Sequence, residues 1–204
     1  MWFIIRFILA LYIQKTKPTK SLLDWVHSHH RVMPWDLDAN IHMNNVKYLK
    51  YLERGRVEQM IHTPWLQTMH ARRVKALIAN TEISYIKEMR PMQHFTVETR
   101  INGWDDRYVY IEQLFTHDGT IFTAALVRMA LVSMRTGKRV TPTTELGDAF
   151  PDLAPPDLPA SVTLLNQLIK AQRQETQTRL ETRQTHTFIV QTQPQKEPSQ
   201  DIIS

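Results

Sequence analysis

The chain has 204 residues, of which 42% are hydrophobic and 22% are charged, and this balance is typical of one medium-sized globular domain with short appendages. It contains no cysteine, which excludes a thiolate nucleophile, an iron–sulfur cluster and a cysteine-ligated zinc site. The net charge of +5 would suit an anionic partner such as a phosphorylated ligand, an acidic carrier protein or a membrane surface, although a mildly basic solvated surface is the simpler interpretation.

The N-terminal segment MWFIIRFILALYI is an apolar run interrupted by one arginine. A spanning helix needs about 20 apolar residues, so this run is too short to cross a bilayer unaided. Two interpretations stay open: a hydrophobic helix docked on its own domain, or an interfacial anchor in which Lys15, Lys17 and Lys20 meet anionic head groups. We expect residues 1–20 to decide whether the protein is free in the cytoplasm or peripherally membrane-bound, and not its chemistry.

One long helix is predicted at residues 44–61, preceded by a short strand at residues 30–34. Asn44 or Asn45 is expected to be the N-cap, because an Asx side chain there accepts a hydrogen bond from an otherwise unpaired amide. Gly55 within this helix costs about 1 kcal/mol relative to Ala. We expect that the helix backbone packs closely on a sheet at this glycine.

Four strands are predicted after the helix, at residues 74–87, 95–101, 108–115 and 121–134. The second alternates cleanly, which places Phe95, Val97 and Ile101 on one face. Asp118 and Gly119 predict a hairpin turn before the last strand, whose nearly continuous apolar sequence predicts an interior position in the sheet. The order of elements predicts an α+β fold in which an antiparallel sheet covers one long helix.

After the sheet, PDLAPPDLP at residues 151–159 is predicted to be an extended linker, and Pro159 followed by Ser161 predicts the start of a helix. The sequence then becomes rich in Gln, Thr, Glu and Arg, so this helix is expected to fray into disorder. The predicted organisation is an N-terminal hydrophobic helix and basic linker (1–20), a central domain (21–150), a proline-rich linker and C-terminal helix (151–180) and a disordered tail (181–204).

Short polar side chains crowd into the loop before the long helix, at Asp36, Asp38, Asn40, His42, Asn44 and Asn45. Asx residues in a loop satisfy unpaired backbone donors. Taken alone, the pattern therefore favours a capped loop over an active site.

The same residues, read as DxDxxxHxNNxxY between a strand and a helix, resemble the hotdog-fold thioesterases. The loop DLDANIHMNNVKY is similar to that of plant acyl-acyl-carrier-protein thioesterases, whose functional Asp, Asn and His correspond to Asp38, Asn40 and His42. A glutamate in a Tyr-x-x-Glu context also belongs to that site, and Glu88 in YIKE matches it. The resemblance implies a single hotdog fold and acyl thioester hydrolysis.

A longer resemblance runs over residues 31–170. RVMPWDLDANIHMNNVKYL, INGWDDRYVYIE and PPDLPA are similar to the group around mammalian thioesterase superfamily member six, with one hotdog unit present. Many hotdog thioesterases carry Gly just before the His, where this chain has Ile41. The resemblance therefore leaves only residues 21–30 of the predicted central domain uncovered.

For thioester hydrolysis, Asp38 is expected to attack the carbonyl directly or to hold a water as general base, with Asn40 orienting it and His42 relaying the proton. Backbone amides of residues 43–45, at the positive end of the helix dipole, are expected to polarise the carbonyl. Glu88 either joins this site or is a solvated charge at a strand end.

Asn44, Asn45 and Tyr48, at the helix start, are expected to bind the substrate, which is acyl-CoA or an acylated acyl carrier protein. A homodimer is expected, because one hotdog unit leaves sheet edges that favour pairing with a twin. Its active site would combine the Asp38 loop of one chain with residues of the other. No cofactor, resident metal or nucleic-acid partner is expected.

Two other functions remain open. Hotdog hydratases and dehydratases use an Asp-x-Asn-Pro-x-His pattern, but here the proline is missing and the His lies one residue closer. A non-catalytic, membrane-associated acyl-ligand binding protein would have the fold without turnover. The joint presence of Asp38, Asn40 and His42 favours an enzyme.

Overall fold

The computed structural model describes residues 20–192, with side chains described as far as residue 181. The predicted anchor segment before Lys20 and the end of the predicted tail lie outside the described residues. Lys20 itself is described, and its ammonium group donates to the Trp25 carbonyl at 2.7 Å. Within residues 20–192, no helix is both long enough and apolar enough to span a membrane.

The described residues form one antiparallel sheet and four α-helices, and the predicted α+β class is confirmed. The strands are β1 (Val26–Arg31), β2 (Val74–Tyr85), β3 (His94–Trp104), β4 (Val109–His117), β5 (Thr120–Ser133) and β6 (Arg139–Val140). The α-helices are α1 (Asn45–His62), α2 (Trp65–Ala71), α3 (Pro142–Ala149) and α4 (Ala160–Thr192), and a 3₁₀ turn at Pro34–Asp36 precedes α1. The strand order is β1-β3-β4-β5-β2, with β6 paired to β5.

Helix α1 packs on the sheet through Gly55, as predicted. A Cβ atom added at Gly55 would lie 2.6 Å from Thr99 Oγ1 and 2.8 Å from Val97 Cγ1, both on β3. On the neighbouring strand, the Gln113 amide donates to the Leu52 carbonyl of α1 at 2.9 Å. The helix backbone therefore touches the sheet at this point, and any side chain would push it away.

The core beneath the first half of α1 is built from aromatic rings. Tyr48 and Phe115 have ring centroids 5.2 Å apart, Phe115 stacks on Phe95 at 5.5 Å, and Phe95 meets Tyr51 edge-on at 5.0 Å. All four rings are buried. A second cluster of buried residues, including Trp65 of α2, lies toward the other end of the sheet.

Some boundaries differ from the prediction. The first strand is Val26–Arg31 and shares only residues 30 and 31 with the predicted range 30–34, because Pro34 begins a 3₁₀ turn. The first strand after the helix ends at Tyr85, and the helices α2 and α3 and the short strand β6 were not predicted. The Asp118–Gly119 turn is confirmed, since both residues have positive φ, and β5 lies inside the sheet as predicted.

The C-terminal helix is longer than predicted. Of the described residues, 20–158 form one compact unit, and α4 belongs to a second that begins at Pro159. Helix α4 runs to Thr192, whereas a disordered tail was predicted from residue 181. Gln and Glu are good helix formers and pair at i,i+4, as Gln177 does with Glu181 at 3.0 Å.

Candidate active site

The loop before α1 is a small hairpin centred on residues 38–42. Leu37 bridges to Met43, the Asp38 amide donates to the His42 carbonyl at 3.0 Å, and the Ile41 amide donates to the Asp38 carbonyl at 3.1 Å. Ile41 has a φ of 62°. This left-handed position is where a three-residue hairpin loop usually has glycine.

The hairpin places the Asp38 carboxylate beside the His42 ring. Asp38 Oδ1 lies 3.4 Å from His42 Nδ1, and the side chains are 26% and 31% exposed, respectively. The Asn40 backbone amide donates to the same Asp38 oxygen at 2.8 Å. The structure thus brings together three predicted residues, with Asn40 acting through its backbone, and leaves the carboxylate accessible to a substrate.

Asp36, two residues earlier, is fully buried and holds the loop in place. Its Oδ2 accepts from the Tyr51 hydroxyl at 2.6 Å and from the Met33 amide at 3.1 Å, and Lys47 Nζ lies 3.5 Å from Oδ1. Burial by itself would raise the pKa of the Asp36 carboxyl, but Tyr51, Met33 and Lys47 together lower that pKa below its usual value. The Asp36 backbone carbonyl also accepts from the Asn44 amide at 2.8 Å.

The start of α1 offers fewer amides than the sequence suggested. Asn44 is the N-cap, since its side chain accepts from the Val46 amide at 2.9 Å. The Met43 amide donates to the Met89 carbonyl at 3.0 Å, and the Asn44 amide donates to the Asp36 backbone carbonyl at 2.8 Å. The expectation that residues 43–45 all present amides to a carbonyl is therefore wrong for Met43 and Asn44. The amide of Asn45, at the exposed first position of α1, has no acceptor among residues 20–192.

Tyr48, predicted to bind substrate, lies in the core with its ring 5.0 Å from that of Tyr85. Burial raises the pKa of the Tyr48 phenol, and the nearby Tyr85 and Glu88 act in the same direction. Glu88 is exposed on the loop that follows β2, and no hydrogen bond or ion pair links it to Asp38 or His42 in the described chain. The two parts of the predicted site are connected through the backbone, from Met43 to Met89.

Sequence reasoning missed the cavity of about 620 Å³ in which Glu88 lies. Its lining residues come from the loop after β2 and from the β4–β5 hairpin: Lys87, Glu88, Arg90, Gln93, His117 and Phe122. The available signal was the pair of basic residues on either side of Glu88 in YIKEMR. In the described residues, no group of three or more His, Asp or Glu side chains is placed to hold a metal ion.

The family model of the thioesterase-like superfamily matches residues 32–168. This range includes the entire Asp38 loop and every strand of the sheet except β1. The chain belongs to the thioesterase-like superfamily. Protein THEM6 of Xenopus laevis is 30% identical over 128 residues, which are 62% of this chain and 62% of the relative. The chain therefore spans less than two thirds of the length of that protein.

A curated bacterial relative and a solved bacterial structure are also similar to this chain. The long-chain acyl-CoA thioesterase FadM of Escherichia coli is 23% identical over 118 residues, which are 57% of this chain and 89% of FadM. The crystal structure of YbaW, a probable thioesterase from Escherichia coli, superposes with a TM-score of 0.57 and 22% identity, covering 60% of this chain and 93% of that one. The structural likeness establishes the shared hotdog fold.

Proposed function

We propose that this protein hydrolyses acyl thioesters of CoA or of acyl carrier protein to the free acid and the thiol. The observation that carries the proposal is the pairing of the accessible Asp38 carboxylate with the His42 ring, 3.4 Å apart, directly before α1. Membership of the thioesterase-like superfamily supports the same reaction. The name of the FadM relative supports CoA as the thiol.

In the proposed reaction, Asp38 acts on the thioester carbonyl as nucleophile or, through a water, as general base. The Asn40 amide and the His42 ring both engage Oδ1, so Oδ2 is the oxygen directed to the substrate. The Asn45 amide stabilises the oxyanion, assisted by the positive end of the α1 dipole. In the general-base route, Asp38 takes a proton from the water whose hydroxyl joins the acyl group, and His42 relays that proton from Asp38 to the departing thiolate. In the nucleophile route, Asp38 displaces the thiolate to form a mixed anhydride, and water then hydrolyses the anhydride to the free acid and restores the carboxylate.

We also propose that the active unit is a homodimer formed along β2. This strand pairs with β5 on one side, while its other edge has no partner strand among residues 20–192. Leu77 and Ile78 on β2 are 46% and 53% exposed, and Tyr85 at its end is also exposed. A long unpaired edge with exposed apolar side chains favours pairing with another strand, and a second copy supplies an identical one.

The test is hydrolysis of a panel of acyl-CoAs and acylated carrier proteins, followed by detection of the free thiol. We expect turnover on at least one substrate. In analytical ultracentrifugation, the active protein should sediment as a species of twice the chain mass. Binding of acyl-CoA without turnover on any substrate would contradict the enzyme and favour a binding protein. A monomer that is fully active would contradict the dimer alone.

A further inference from the structure

The cavity beside Glu88 lies at one end of the sheet. One wall is the loop of residues 86–93, whose Lys87 amide donates to the Phe122 carbonyl at 3.0 Å. The other wall is the β4–β5 hairpin, which contributes His117 and Phe122. Its volume of about 620 Å³ is within the range of sites that hold nucleotide-sized ligands.

The cavity has an excess of positive charge. Lys87 and Arg90 are exposed and form no ion pair with a carboxylate in the described part of the chain. Glu88 is the one acidic residue among the lining side chains. Unpaired cations in a concave surface attract and bind phosphate groups.

The cavity also offers aromatic surface. The Lys87 ammonium group lies 5.8 Å from the centre of the Phe122 ring, and the His117 ring meets Phe122 edge-on at 6.0 Å. Flat rings next to cations are the combination that binds a base together with its phosphates.

A second basic cavity, of about 560 Å³, is lined in part by Arg72, Arg73 and Arg135. The two cavities differ in where they lie relative to the candidate active site. The Glu88 cavity lies at the Tyr85 end of β2, and its lining residues Glu88 and Arg90 flank Met89, whose carbonyl accepts from the Met43 amide of the loop before α1. The second cavity is lined in part by Val74, at the opposite end of this 12-residue strand. There, Arg72 is already paired with Glu145 and Asp148.

We propose that the Glu88 cavity binds the phosphorylated adenosine part of CoA, with Lys87 and Arg90 meeting its phosphates and Phe122 contacting the base. This assignment rests on the proposed thioesterase function and makes acyl-CoA the substrate. The pantetheine arm then runs from the cavity past Met89 to the thioester carbonyl at Asp38. Lys87 and Arg90 act through ground-state binding, so they affect KM and leave kcat unchanged.

The test compares an acyl-CoA with the acyl-pantetheine of the same acyl group, which lacks the nucleotide. Lys87→Gln and Arg90→Gln should each raise KM for acyl-CoA by about two- to tenfold, because a partly exposed charge contact contributes modestly. The KM for acyl-pantetheine should not change. Arg135→Gln, the same change in the second cavity, is the matched control and should leave both values as they are.

A binding experiment on the full chain tests the subsite independently of turnover. Adenosine 3′,5′-bisphosphate should bind in calorimetry, and Arg90→Gln should weaken that binding. If turnover persists and neither variant changes KM for acyl-CoA or bisphosphate binding, the subsite is wrong. A KM increase confined to acylated carrier protein would overturn it in favour of carrier docking. Absence of turnover on every thioester would contradict the proposed function, and bisphosphate binding would still decide the subsite.

Discussion

The Met43 amide donates a hydrogen bond of 3.0 Å to the Met89 carbonyl. It joins the loop that contains Asp38 to the loop that contains Glu88, although these segments are far apart in the sequence. Because the bond uses only backbone atoms, side-chain substitutions at Asp38 or Glu88 leave it in place. The effects of such substitutions on activity can therefore be separated from effects on this connection.

Asp38→Asn should reduce thioester hydrolysis by a factor of about 10² to 10⁴, as is typical when a general base is removed. The substitution keeps the shape of the side chain, and Asp38 is partly exposed, so the free energy of unfolding should hardly change. Steady-state kinetics and urea unfolding measure the two quantities. If Asp38→Asn keeps nearly full activity while His42→Ala abolishes it, the base is His42.

Asp36→Asn is the matched control for that variant, because it makes the same chemical change two residues away at a buried site. It should keep most of the activity but lower the free energy of unfolding by about 1–3 kcal/mol, since the bonds from Tyr51 and Met33 lose their charged acceptor. Urea unfolding at pH 7 measures this. Equal loss of activity in the two variants would show that Asp38 has no special role.

The stability of the protein should fall at acidic pH partly through Asp36. Its pKa in the folded state is lowered from the usual 3.8, so its stabilising effect is complete above that value and is lost as the pH falls through the lowered pKa. Between about pH 4 and pH 2, the free energy of unfolding of Asp36→Asn should therefore fall less steeply than that of the wild type. Parallel slopes in the two proteins would contradict this role.

Gly55→Ala should destabilise the protein by about 1–3 kcal/mol, because its new methyl group would overlap Thr99 and Val97. The gain of about 1 kcal/mol in helix propensity is too small to compensate. Gly147→Ala in α3 is the control, since a Cβ there meets nothing within 4 Å, and it should be neutral or stabilising. Thermal or urea unfolding of both variants decides the matter, and similar effects would exclude the proposed overlap.

At position 41, a Gly substitution should give a more stable protein than an Ala substitution, which is the reverse of the usual order in a helix. At its φ of 62° a Cβ costs about 1–2 kcal/mol, so Ile41→Gly should be more stable than Ile41→Ala. The side chain is 70% exposed, so little packing is lost in either variant. At the exposed helical position Lys50 the order should be normal, with Ala more stable than Gly by about 1 kcal/mol. The same order at both positions would contradict a left-handed Ile41.

Much of the fold follows from short-range sequence signals. Asn44 predicts a helix cap because its side chain reaches an amide two residues on, and the Asp118–Gly119 pair predicts a turn because both residues tolerate positive φ. The DxDxxxHxNNxxY pattern likewise marks the loop before α1 as the candidate site, and in the structure Asp38 lies 3.4 Å from His42 in that loop. These signals act over a few residues, so the sequence by itself determined the long helix, the four strands that follow it, the class of fold and the Asp38 loop.

Contacts between distant segments were decided by the tertiary structure alone. The amides of Met43 and Asn44 are unavailable to a substrate because the carbonyls of Met89 and Asp36 accept from them. Met89 is distant in the sequence, so no local pattern predicts its bond to Met43. The basic cavity likewise arises because β5 pairs with β2, which brings Phe122 beside Lys87. Periodicity shows which face of a strand is buried but not which strand lies next to it, since strand order depends on how the complete set of apolar faces packs around α1.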